Sequence, residues 1–104
     1  MSFDNDPAVQ KWLASLAEQW GGTPDVAAKL AVLQRFSDEI GQTPAEMIEA
    51  CTTRHEDGRP LTTIKGINRY WKLIEARRVE WGQDSSRQLM SFFIHNGVLM
   101  QSPV

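Results

Sequence analysis

The chain has 104 residues, 41% of them hydrophobic and 23% charged, with a net charge of −2 and a single cysteine. That length and composition predict one globular domain with a real core and exclude a disordered chain. No apolar run approaches the roughly 20 residues needed to span a bilayer, and Cys51 has no second cysteine to pair with.

The opening residues, Met1 to Asp6, show neither the basic nor the apolar stretch of a secretory signal, so a cytoplasmic location is expected. Charge is unevenly spread. Residues 1–53 carry three basic and eight acidic side chains, whereas residues 54–104 carry eight basic and five acidic ones. This asymmetry points to a polyanion-facing side mostly in the second half, with plain scatter in a small protein as the other reading.

Asp6-Pro7 reads as an N-cap followed by proline at the first helical position, where its missing N–H costs nothing. The helix it opens runs to Trp20, with Val9, Trp12 or Leu13, Leu16 and Trp20 spaced by three and four. Gly21-Gly22 ends it. Thr23-Pro24 repeats the cap signal and opens a second helix to about Ile40, where Val26, Leu30, Leu33, Phe36 and Ile40 share a face before Gly41. Thr43-Pro44-Ala45-Glu46 is a capping box before a short helix to Ala50 or Cys51.

Thr52 to Pro60 is polar, contains Asp57-Gly58, and reads as a loop bearing Arg54, His55 and Arg59. Leu61 or Thr62 opens a long fourth helix to about Trp81, with Ile64, Ile67, Trp71 and Ile74 as its buried stripe. Gly66 inside that helix costs about 1 kcal/mol against alanine, which a close packing or a close DNA approach would explain. Gly82 stops the helix, and Ser85 with Gln88 has the capping-box spacing for a last one. There Leu89, Met90, Phe92 and Phe93 form an apolar wedge. Asn96-Gly97 should end it in the left-handed conformation, with Val98 folding back on the last turn. No strand alternation is legible. Five helices with short connections predict an all-α, compact, irregular bundle.

Chemistry-bearing clusters are missing from the pattern. His55 and His95 are far apart, Cys51 lacks a companion, and no metal-ligand spacing occurs. His95, in a last helical turn, is expected to meet free carbonyls there. Cys51 ends a short helix, the wrong pole for a thiolate, so its role is structural. Asp38-Glu39 reads as a solvated pair. No nucleophile, acid–base pair or cofactor loop is found, so neither a catalytic site nor a cofactor is expected. The tryptophans Trp12, Trp20, Trp71 and Trp81 read as packing residues.

The fourth helix carries the strongest binding signal. Lys65, Arg69 and Lys72 are spaced four and three apart and, at about 100° per residue, point nearly opposite the predicted stripe. Three cations on one face can pair with successive phosphates, and Asn68 borders them. The second helix adds Arg35, beside Ala28 and Ala31, and Lys29 at the edge of the apolar stripe with its stem buried and its amine wet. For the fourth helix a plain solvated face is the alternative reading, and the second helix is the weaker candidate of the two.

Three stretches carry a family resemblance across nearly the whole chain. They are Val9-Gln10-Lys11-Trp12-Leu13, Leu33-Gln34-Arg35-Phe36 with Ile40-Gly41-Gln42-Thr43-Pro44-Ala45-Glu46-Met47-Ile48, and Met90-Ser91-Phe92-Phe93-Ile94-His95-Asn96-Gly97-Val98. In order and spacing they resemble the N-terminal core-binding domain, of SAM-like fold, of tyrosine site-specific recombinases, the phage integrase family. Ser102-Pro103-Val104 is similar to the stretch leading to that family's catalytic domain.

The resemblance implies a noncatalytic domain spanning residues 1–104 that clamps double-stranded DNA opposite a C-terminal catalytic domain. Its implied partners are duplex DNA, that catalytic domain and other recombinase protomers; the isolated domain is expected to be a monomer, with no membrane partner. Helices over residues 24–40 and 62–81 would face DNA, matching Lys29, Arg35, Lys65, Asn68, Arg69 and Lys72. The catalytic Arg, Lys, His and Tyr belong to the other domain, so Tyr70 is not the nucleophile. Asp25 and Lys29 depart from the Thr and Tyr frequent in the family. The competing reading is a helical protein–protein adaptor built on exposed apolar surface around Trp20 and Trp81.

Overall fold

In a computed structural model, the structure describes residues 5–20, 26–54, 57, 58, 60–98 and 100. The predicted Gly21-Gly22 stop, the Thr23-Pro24 cap, Asp25, His55, Arg59 and Ser102-Pro103-Val104 lie outside that set, as do the side chains of Trp20 and Arg54.

Five helices dominate: α1 (Pro7–Trp20), α2 (Val26–Ile40), α3 (Pro44–Ala50), α4 (Ile64–Trp81) and α5 (Gln83–His95). Between α3 and α4 the expected loop is instead a short antiparallel ribbon, β1 (Thr52–Arg54) with β2 (Pro60–Thr62). Thr52 pairs with Thr62 and Thr53 with Leu61, and the Thr63 N–H donates to the Cys51 carbonyl at 2.8 Å. Strands of three residues are too short to leave an alternating pattern, and backbone pairing rather than burial holds them. The chain is thus mostly helical with one ribbon. No helix among the described residues is long and apolar enough to cross a membrane.

The predicted helix starts are largely present, with their chemistry. Asp6 accepts the Ala8 N–H through Oδ1 at 2.8 Å and, through Oδ2, the Ala45 N–H at 3.2 Å. One buried carboxylate therefore caps the first turns of both α1 and α3. Thr43 and Glu46 form the reciprocal capping box. Thr63 caps α4 by accepting the Gly66 N–H at 3.2 Å.

α5 begins differently from the expectation. It starts at Gln83, and Ser85 donates to the Trp81 carbonyl instead of capping. Gly82 alone joins α4 to α5, at φ 93° and ψ 157°, a backbone state that a side chain strongly disfavours.

α5 lies against α1, α2 and α4, while α1 covers α3. Its Leu89, Phe92 and Phe93 are fully or almost fully buried among Trp12, Leu33, Phe36, Tyr70 and Ile74. Phe92 meets Trp12 edge-on at 5.6 Å between ring centroids, and Phe93 lies 5.3 Å from Tyr70. The end of α5 is a Schellman turn: Gly97 (φ 87°) donates to Ile94, Val98 donates to Phe93 at 2.9 Å, and Val98 is buried.

Polar contacts lock α1 to this plug. Trp12 Nε1 donates to Ser91 Oγ at 3.1 Å, and buried Asn96 donates to the Ala8 and Phe92 carbonyls. His95 shares a 2.6 Å hydrogen bond with Ser15, in place of the helix-end carbonyls expected for it.

Candidate nucleic-acid interface

The position of α4 is set by its buried stripe, which differs from the predicted one. Gly66, Ile67, Tyr70 and Ile74 are buried, whereas Ile64 is 76% exposed and Trp71 is only half-buried. Ile64 is the first residue of the helix, one position past its cap, so helical periodicity cannot force it under the core. Tyr70 fills the place instead, donating its hydroxyl to Gln42 Oε1. Burial raises the Tyr70 pKa, opposed by the nearby Arg69 charge.

Gly66 explains how close α4 comes to α3. A Cβ there would lie 2.6 Å from the Ala50 carbonyl oxygen and 2.9 Å from Cys51 Cα. Close helix packing is therefore sufficient reason for the glycine. The same crossing buries Cys51 completely and pushes its thiol pKa up to about 11, partly offset by Arg69, in keeping with a structural role.

With this stripe inward, Lys65, Arg69 and Lys72 are all exposed on the outer side of α4. None has a carboxylate within ion-pair distance among the described residues. Arg69 rests its guanidinium 5.4 Å from the Tyr70 ring centroid. Lys65 and Arg69 flank a shallow cleft floored by Ala50, Thr63, Gly66 and Tyr70. Asn68 is half-buried beside them. Three free cations over two helical turns span about 10 Å, enough to meet more than one phosphate of a backbone.

The second-helix candidates sit elsewhere. Arg35 stacks its guanidinium 4.2 Å over the Trp81 ring and lies 3.6 Å from Glu39 and 3.7 Å from Glu80. It therefore joins α4 at its far end, about 12 Å along the axis past Lys72. Arg77 adds to this cluster, bonding the Leu73 carbonyl at 2.8 Å and approaching Phe36 and Trp81. Arg77 Nε lies 3.5 Å from Glu39 yet is buried without a hydrogen bond, so Glu39 compensates its charge without a directed bond. Lys29 donates to Gln88 Oε1 at 2.7 Å and ties α2 to α5. Of the six predicted residues, Lys65, Asn68, Arg69 and Lys72 form one patch; Lys29 and Arg35 are engaged in internal contacts.

Two exposed positions on the same side of α4, Ala76 and Val79, were not among the predicted site residues. They continue the spacing of the three cations by steps of four and three. Among the described residues no group of three His, Cys, Asp or Glu side chains is placed to hold a metal ion. Searches against protein-family models, curated proteins and solved structures find no match.

Proposed function

We propose that this chain is a noncatalytic, duplex-DNA-binding module of the kind found at the N-terminus of tyrosine site-specific recombinases, clamping DNA opposite a separate catalytic domain. The observation that carries this reading is the exposed line of Lys65, Arg69 and Lys72, without an acidic partner among the described residues, on a helix anchored through Ile67, Tyr70 and Ile74. The mostly helical architecture and the terminal Phe92-Phe93 plug with its Asn96-Gly97-Val98 turn are consistent with the SAM-like resemblance. Lys65, Arg69 and Lys72 would meet phosphates, and Asn68 at their border would reach a phosphate or a base edge. Arg35 and Lys29 contribute through the fold that holds α2 and α5 against α4.

The adaptor reading relied on exposed apolar surface at Trp20 and Trp81. Trp81 is half-buried, packed edge-on against Phe36 at 6.4 Å and covered by Arg35, which reduces its own share of that surface; the Trp20 side chain lies outside the described residues. Binding of a fluorescent duplex at low salt tests the DNA reading. Wild type should bind, and K65E/R69E/K72E should lose binding at least tenfold while keeping its circular dichroism. Equal binding by the folded triple variant would assign the contact to another face.

A further inference from the structure

The outer line of α4 does not stop at its cations. Lys65, Arg69, Lys72, Ala76 and Val79 are spaced four, three, four and three residues apart, and all five are exposed. On an α-helix these positions fall within about 80° of one another and extend about 21 Å. Val79 is 92% exposed, the most exposed large hydrophobic side chain among the described residues.

The charges beside Val79 are occupied within the protein. Arg78 lies 3.3 Å from Glu75, and Glu80 lies 3.7 Å from Arg35. The ridge therefore divides in two: a first half of cations with no acidic partner among the described residues, and a second half presenting methyl groups flanked by charges held in ion pairs.

Resting on the DNA-binding reading above, we infer that α4 lies along the major groove with Lys65, Arg69 and Lys72 on phosphates while Ala76 and Val79 contact the C5-methyl groups of thymine. An α-helix fits the major groove, and the thymine methyl is the one apolar group displayed on its floor. Free cations commit the near half of the ridge to the backbone. An apolar continuation meets the methyl group, whereas a protruding valine against a phosphate row would only displace water from it. The ridge thus assigns sequence preference to Ala76 and Val79 and affinity to the cations.

Fluorescence anisotropy with poly(dA-dT) and poly(dA-dU) duplexes tests this, because the two differ only by the methyl group. Wild type should bind the thymine duplex about three- to tenfold more tightly. Val79→Ser, at a solvent-facing helical position, should keep the fold and lose most of that preference, while Val79→Ile should retain it. Equal wild-type affinity for both duplexes, or a preference that survives in Val79→Ser, overturns the methyl contact and leaves the phosphate contact standing. Absence of binding to either duplex overturns the DNA-binding reading itself.

Discussion

The guanidinium of Arg35 lies 4.2 Å over the indole of Trp81, joining the middle of α2 to the last residue of α4. This contact separates two kinds of cation in the chain. Arg35 is held between Glu39, Glu80 and an aromatic face, whereas Lys65, Arg69 and Lys72 project without an acidic partner among the described residues.

Replacing Arg35 by alanine should therefore act on stability. The side chain is 55% exposed, so its two ion pairs are screened, and the stacked contact dominates a loss of about 1 kcal/mol. Chemical denaturation would show the loss. DNA affinity measured on the folded variant should change less than twofold.

Gly66→Ala tests the crossing of α3 and α4. Alanine gains about 1 kcal/mol of helix propensity, but its Cβ would sit 2.6 Å from the Ala50 carbonyl oxygen, a backbone atom unable to step aside alone. Overpacking of this kind costs about 1–3 kcal/mol, so a net loss is expected, visible as a melting temperature lower by several degrees. An unchanged or raised melting temperature would mean that the crossing is looser.

Asp6 should count twice. Its carboxylate satisfies the Ala8 and Ala45 N–H groups at the starts of two helices, and a lost N-cap costs about 1 kcal/mol. Asp6→Ala should lower stability by roughly 2 kcal/mol. Asp6→Asn, which keeps one acceptor oxygen, should fall between the two in urea unfolding.

Much of this fold is legible residue by residue in the sequence, because caps and stops are local chemistry. The Asp6-Pro7 start of α1, the Thr43–Glu46 box and the Gly97-Val98 turn each act within a few residues of their own position, although Asp6 also reaches Ala45 and Asn96 reaches Ala8. What escapes is set by partners far along the chain. Arg35 is separated by more than forty residues from the Glu80 and Trp81 that hold it. Tyr70 displaces Ile64 from the stripe because Gln42 and Phe93 supply its hydroxyl and ring with partners. The ribbon is too short for periodicity, and the α4–α5 junction rests on the single unusual backbone state of Gly82. The basic line of α4 is readable because its spacing lies within one helix; that its cations have no acidic partner among the described residues is visible only in three dimensions.

Alkaline pH should weaken the fold through Cys51. Burial raises its thiol from 9.0 to about 11, so the contribution is fully present below pH 9 and is lost as pH rises toward 11. The buried Tyr70 hydroxyl, also raised by burial, acts in the same direction above pH 10. Between pH 8 and pH 10.5 wild type should lose on the order of 1–2 kcal/mol more than Cys51→Ala does over the same range, measured by denaturant midpoints. Parallel pH profiles would show that the thiol is more hydrated than its position implies.

The most direct measurement is the salt dependence of binding to one duplex by wild type and by K65Q/R69Q/K72Q. If the three cations each displace a counterion from DNA, the wild-type slope of log K against log salt should be steeper by about 2.7, at about 0.9 per phosphate contact. Identical slopes for two folded proteins would contradict the assignment of this face of α4 to DNA.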